Sequence, residues 1–297
     1  MIEPGLRRRF FAEELEAVCK LRSAALVDAF AVVPREQFLP PGPWTVLATA
    51  DFGVSPAPTR TTSDANPAHV CHNIAVAIDP ARQLFNGQPG TIAIWIDALE
   101  LVPGARVLHV GCGLGYYTAV MAHCVGPSGR IVAFDVDGTL AAEARRNLAA
   151  MAWVDVRHGD ASQPMGESFD AILVNAGVTH PLDAWLDALA SGGKMTLPLT
   201  STMIPMGGTI GKGLVFVVSK ESETLFPARA LTIVAIYSAL DIRDESLNER
   251  LGKALMAGPA RWQAITRLRR DVHEPSSSCW FHGTTSCLSL GQGVPIQ

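Results

Sequence analysis

A chain of 297 residues is long enough for one large α/β domain with additions, or for two domains. Hydrophobic residues make up 48% and charged residues 18%, which provides for a substantial core and argues against global disorder. The net charge of −4 argues against a dedicated DNA or RNA binder, and no apolar run is long enough to span a bilayer. The six cysteines are scattered and form no secreted-protein framework, which points to a reducing cytoplasm.

From the N-terminus, Leu6 to about Ala31 reads as one helix, with Leu15, Val18, Leu21, Ala25 and Val27 on one face. Acids follow Arg7-Arg8-Arg9 where a secretory leader would need an apolar region, so no leader is expected. Pro34 starts a short new element that Pro40, Pro41 and Pro43 end. Residues 41–68, rich in Pro, Thr, Ser and Ala, read as a long irregular surface stretch. Val70 to Ile78 reads as a strand. Asn86-Gly87 is a turn, and Pro89 suits the first turn of a helix running to about Leu99.

The next stretch organises the rest. Val107 to Val110 is mostly branched and apolar, as a buried parallel strand would be, and it runs into Gly111-Cys112-Gly113-Leu114-Gly115-Tyr116 and a helix over Thr118 to Val125. A strand that turns on glycine into a helix presents backbone N–H groups to an anionic or polar part of a nucleotide-like ligand. A dinucleotide fold would want Gly-x-Gly-x-x-Gly, but Tyr116 stands where its last glycine would fall. A second strand, Arg130 to Phe134, ends in Asp135-Val136, where such sheets place the carboxylate that holds the ribose hydroxyls. A third, Val154 to His158, runs into Gly159-Asp160-Ala161, a candidate acceptor for an adenine amine. A fourth, Phe169 to Val174, ends in Asn175. These residues stand in order at strand C-termini, where open α/β sheets bind ligands.

In the second half, a helix spans about Thr139 to Met151, and another starts near Pro181. Ser191-Gly192-Gly193 is expected to end that helix, with Lys194 to Pro198 as the fifth strand. Met203 to Gly213 reads as a flexible turn, and Leu214–Val218 and Leu231–Tyr237 as a late pair of strands. Beyond Asp241, Leu247, Leu251 and Leu255 support a helix. Arg267 to Arg270 reads as a solvated basic edge, and Ser276 to Ser289 as a hairpin. That hairpin region holds His273, Cys279, His282 and Cys287, but their spacing is not a standard zinc pattern, so buried thiols and no metal are expected.

Gly111-x-Gly113-x-Gly115 after a strand resembles motif I of the class I S-adenosylmethionine (AdoMet) methyltransferases. Two further segments are similar to the protein-L-isoaspartate (D-aspartate) O-methyltransferase family in particular: Val33-Pro34-Arg35-Glu36-Gln37-Phe38, and Gly87-Gln88-Pro89 before the motif helix. The resemblance implies a seven-stranded, mostly parallel α/β sheet of Rossmann-like type with helices on both faces. It divides the chain into an N-terminal extension (1–90), the AdoMet-binding domain (91–240) and a C-terminal extension (241–297). It implies AdoMet as cofactor, met by Gly111, Cys112, Gly113, Gly115, Tyr116, Asp135, Val136, Asp160, Ala161 and Asn175. Gln88 and Asn175 are placed beside its reactive end.

The sequence departs from the family in three places. The serine before Gln-Pro is Gly87, the acid inside motif I is His109, and the last glycine of Gly-Asp-Gly is Ala161. The cofactor site therefore carries over, while the acceptor is expected to be another carboxylate, on a small molecule or a peptide. A carboxylic acid of pKa about 4 is already ionised at pH 7, so such an acceptor needs no base. Two alternatives stand beside this reading: an amine or hydroxyl acceptor with His180 as base, and a non-catalytic binding protein of the same fold.

Overall fold

The computed structural model describes residues 3–47, 59–202 and 209–291. The N-terminal segment forms two helices, α1 (Pro4–Cys19) and α2 (Ala24–Val32), where one was expected. The break is local. Lys20 takes a left-handed φ of 54° and returns its N–H to Glu16, and the Ser23 side chain then caps α2 through the Leu26 N–H. A 3₁₀ turn over Arg35–Phe38 follows Pro34.

The stretch expected to be irregular supplies two short strands, β1 (Thr45–Leu47) and β2 (Arg60–Thr61); residues 48–58 lie outside the described residues. With β3 (Ala75–Asp79) and β4 (Leu84–Asn86) they form an antiparallel sheet in the order β2-β1-β3-β4. Strands of two or three residues carry no readable period, which is why the sequence hid them. Trp44, Val46, Val70 and Val76 form a small core here.

Then come α3 (Pro89–Ala98), β5 (Arg106–Val110), α4 (Tyr116–Val125), β6 (Arg130–Asp135), α5 (Gly138–Asn147), β7 (Val154–His158) and β8 (Phe169–Val174). They are followed by α6 (Asp183–Ala188), β9 (Leu189–Ser201), β10 (Ile210–Ser219) and β11 (Leu225–Tyr237). The tail holds α7 (Glu245–Leu255), α8 (Pro259–Gln263), β12 (Ile265–Arg269), β13 (Cys279–His282) and β14 (Cys287–Leu290).

The chain divides into two compact units, Met1–Ala105 with Cys112–Gly159, and Arg106–Gly111 with Asp160–Gln297. In the first, β6 and β7 run parallel, with Asp135 opposite His158 at their C-terminal ends. Helices α1, α2, α3 and α4 bury Leu15, Phe30, Trp95 and Tyr116. In the second, β5, β8 and β9 are parallel, and β10, β11, β12, β14 and β13 continue outward antiparallel. Strands β5 to β11 are the seven that the resemblance implies.

Ser191-Gly192-Gly193 does not separate helix from strand but lies within β9. Phe169 pairs with Leu189 and Ala171 with Lys194, so the residues between bulge out, with Gly192 at φ 75°. Ile210 to Gly213 are the start of β10, not a turn, and Gly213 is needed because a Cβ there would run into the Leu199 backbone; residues 203–208 lie outside the described residues. The basic run at 267–270 is not a solvated edge. Most of it is β12, which pairs with β11 and buries Leu268, while Arg270 bonds Asp187 at 2.6 Å. Among the described residues no helix is long and apolar enough to cross a membrane.

Candidate functional site

Gly113 and Gly115 both take left-handed φ, 55° and 91°, yet their surroundings differ. A Cβ on Gly115 would meet Leu148 Cδ1 at 2.7 Å, so this glycine lets the start of α4 pack closely. A Cβ on Gly113 would meet nothing within 4 Å. Gly113 is thus the glycine whose backbone a ligand can approach.

The Gly113 N–H donates to Asp135 Oδ2 at 2.7 Å, and the Asp137 N–H to Asp135 Oδ1 at 3.0 Å. Each carboxylate oxygen holds one backbone donor and keeps further lone-pair capacity, which fits a ribose diol that brings two hydroxyl donors. Burial pushes the Asp135 pKa up, against the pull of the two N–H groups. Asp137 caps α5 through Thr139 and Leu140 and pairs with Arg82 at 2.6 Å, fixing the loop that carries the second donor. Val136, between the two acids, is 51% exposed, an apolar side chain open to a flat ring.

Cys112 is buried, and burial and the nearby Asp135 push its thiol pKa up, so it is no nucleophile. Tyr116 packs against Phe30, Phe38 and Tyr117 with 1% of its surface exposed. Its ring belongs to the core beneath the turn, and only its backbone is left for a ligand.

The Val-Pro-Arg-Glu segment and the Gly-Gln-Pro element meet at one side chain. The buried Arg35 guanidinium donates to the carbonyls of Val70, His72, Ile74 and Gly87 at 2.8–3.3 Å and to Asn86 Oδ1 at 3.3 Å. The Tyr117 hydroxyl also donates to the Gly87 carbonyl. Gln88 follows, 6% exposed, with Nε2 3.5 Å from the Asn73 carbonyl, and Asn73 Oδ1 accepts the Gly90 N–H at 2.7 Å. From sequence, Arg35 stands out only as part of a motif and Asn73 does not stand out at all. The available signal was the motif itself, since an arginine that is buried needs several acceptors.

In the second unit, a Cβ on Gly111 would meet the Asn175 carbonyl at 3.2 Å. Asn175 donates its N–H to Val110 at 2.8 Å and its Nδ2 to the Gly111 carbonyl at 3.3 Å, so these two predicted residues are in direct contact. Asp160 is exposed and turns its carboxylate onto Ser162, taking the Ser162 N–H at 2.8 Å. Ala161 is buried, and its carbonyl accepts from Trp185 Nε1 at 2.7 Å. His109 is fully buried in β5, which pushes its pKa down to about 3 and keeps it neutral. His180 sits 2.9 Å from Thr179 Oγ1 through Nδ1, and burial also lowers its pKa against the pull of Asp244 and Asp183. The tail reaches this region: the Asp244 N–H donates to Thr179 Oγ1 at 3.0 Å, and Arg243 donates to the Gly177 and Thr200 carbonyls.

A glycine turn with an open face, set on a doubly held buried carboxylate at the next strand end, defines a class I AdoMet-binding methyltransferase fold. The comparisons with known proteins agree. A family model described as protein-L-isoaspartate(D-aspartate) O-methyltransferase matches residues 62–215. The protein-L-isoaspartate O-methyltransferase of Methylorubrum populi is 36% identical over 182 residues, 60% of this chain and 73% of the relative. That of Methanopyrus kandleri is 30% identical over 197 residues, 65% and 76% of the two chains. A solved protein-L-isoaspartate O-methyltransferase superposes with a TM-score of 0.60 at 22% identity, covering 82% of this chain and 69% of the other. A Plasmodium falciparum structure in complex with S-adenosyl-L-homocysteine, assigned to the same family, superposes with a TM-score of 0.57 at 17% identity, covering 78% and 97%. The latter two show the shared fold. The chain belongs to the protein-L-isoaspartate(D-aspartate) O-methyltransferase family, and it is an AdoMet-dependent enzyme.

Proposed function

We propose that this enzyme methylates a carboxylate oxygen, with Asp135 holding the ribose of AdoMet and Gly113 lying against its amino-acid moiety. The observation that carries the proposal is the Gly87-Gln88-Pro89 element, fixed from behind by Arg35 and Tyr117. That element distinguishes this family from other methyltransferases, and here it is built rigidly and buried. AdoMet supplies an activated methyl group whose departure leaves a neutral thioether. The protein's part is to hold an ionised acceptor oxygen in line and to exclude water, which is worth several kcal/mol. Asn175 and Gln88 are the amide side chains we assign to the reactive end, Asp160 and Ala161 to the adenine edge.

The acceptor we propose is a carboxylate other than a plain isoaspartyl peptide, because Gly87 lacks the family's hydroxyl. A Cβ on Gly87 would come no nearer than 3.4 Å to Ile92, so Gly87→Ser fits without rearrangement. The test is methylation of an isoaspartyl peptide by both forms. Wild type is expected to turn over weakly, and Gly87→Ser to gain about 10–100-fold, the worth of one hydrogen bond to a charged group. Efficient wild-type turnover would refute the retargeting.

A second reading has one observation in its favour. His180 follows the fourth parallel strand with its Nδ1 engaged by Thr179 Oγ1 at 2.9 Å, and its imidazole is the side chain there that would take a proton from an amine or hydroxyl acceptor. Mild base separates the two readings, since it releases a methyl ester as methanol and leaves an N-methyl group or a methyl ether intact. We place the enzyme in the cytoplasm, on six scattered cysteines that form no secreted-protein framework.

A further inference from the structure

The C-terminal sheet carries a constellation that methyl transfer does not use. His273, Cys279, His282 and Cys287 each bring one ligand-type atom, and these four atoms all lie within 4.8 Å of one another. We propose that they form a structural zinc site that locks the C-terminal hairpin to the loop before it.

The chemistry of the set fits zinc. Two thiolates and two neutral imidazoles are the soft and borderline donors it prefers, and two thiolate charges balance its own. Tetrahedral bonds of about 2.3 Å to sulfur and 2.0–2.1 Å to nitrogen place neighbouring S and N atoms about 3.6 Å apart. Cys279 Sγ and His273 Nε2 stand 3.5 Å apart. The outer contacts fit as well. His273 Nδ1 lies 2.9 Å from the Asp271 carbonyl, a bond that puts the proton on Nδ1 and leaves the Nε2 lone pair facing the sulfur. The Ser276 N–H donates to Cys279 Sγ at 3.4 Å, the contact that steadies a thiolate. His282 Nδ1 is buried with no hydrogen-bond partner, and the His273 and His282 rings stand perpendicular with centroids 4.7 Å apart.

The fold explains why the spacing concealed this. His282 and Cys287 are direct cross-strand partners on β13 and β14, so their side chains share one face of the hairpin. Cys279 starts β13, and the loop through Asp271 folds His273 back over it. Ligands that alternate His, Cys, His, Cys match no two-pair pattern in sequence, yet they meet in space. The expectation of buried thiols alone accounts for neither histidine. Four protein ligands leave no position open for substrate, so the role is structural. Binding displaces the two thiol protons to solvent.

The test is metal analysis of the full-length protein expressed in zinc-supplemented medium and dialysed against a weak chelator. One zinc per chain is expected, falling to under a tenth of that in the Cys279→Ser/Cys287→Ser double variant and unchanged in Cys19→Ser. Should the double variant fold poorly, cobalt exchanged into wild type is expected to give the intense visible bands of a tetrahedral thiolate site. A wild-type protein that retains no zinc and shows no such cobalt spectrum would overturn the proposal. So would a thiol titration of the unreduced, unfolded chain that finds two of its six thiols missing, because a Cys279–Cys287 disulfide would then occupy the ligands.

Discussion

At the scale of single residues, Asp135 and Arg35 are the two polar groups on which the candidate site rests. Asp135→Ala removes the acceptor of the Gly113 and Asp137 N–H groups and the proposed ribose ligand. AdoMet affinity is expected to fall by about 1–3 kcal/mol, measured by calorimetry; unchanged affinity would refute the ribose assignment. Arg35→Met leaves buried carbonyls without their donor and is expected to cost about 2–4 kcal/mol in denaturant unfolding. His109 gives a pH signature. Its folded pKa of about 3 lies below its ordinary 6.5. Between these values the unfolded chain takes up a proton that the fold refuses, so stability is full above about 6.5 and is lost as pH falls, by up to about 1.4 kcal/mol per pH unit. Comparing unfolding of wild type and His109→Asn between pH 7 and 5 isolates this slope, which the variant should lack. Of these residues, Asp135 is legible in sequence because a strand end about 20 residues past a glycine turn has one geometric use. The role of Arg35 is not legible, because all its acceptors but Asn86 Oδ1 are backbone carbonyls contributed by residues 70–87, and carbonyls leave no mark in sequence.

At the scale of elements, the glycine turn does two separate jobs. Gly115→Ala combines a left-handed φ with the Leu148 clash and should destabilise the fold by about 2–4 kcal/mol. Gly113→Ala meets open space, so its effect on stability should be confined to the left-handed penalty of about 1–2 kcal/mol, while its methyl stands where a ligand would approach. Its AdoMet affinity should fall by about tenfold or more. If both variants bind AdoMet equally well once folded, the division of labour is wrong. The spacing of the glycines announced the turn but could not assign these jobs, because Leu148 lies outside the motif, just beyond α5. The same limit hid the break between α1 and α2, which depends on one left-handed lysine, and the strand β12, whose bulge between Ile265 and Arg267 breaks the two-residue period that would mark it.

At the scale of the whole molecule, the parallel strands and their glycine turn were readable because buried parallel strands are continuous apolar runs. Of the antiparallel additions, the apolar cores of β10 and β11 and the β13–β14 hairpin were readable too, while β1, β2 and β12 were not, since short strands gain definition only from their partners. Binding of AdoMet to the folded chain alone should raise its thermal midpoint, by the equivalent of about 2.7 kcal/mol at a hundredfold excess over Kd. Carboxyl methylation itself is tested most directly by the fate of the transferred methyl. With methyl-labelled AdoMet, wild type and Gly87→Ser are offered isoaspartyl peptides alongside other carboxylate, amine and hydroxyl acceptors, and each labelled product is treated with mild base. The label is expected to leave as volatile methanol; label that stays on an accepted substrate through base would contradict carboxyl methylation.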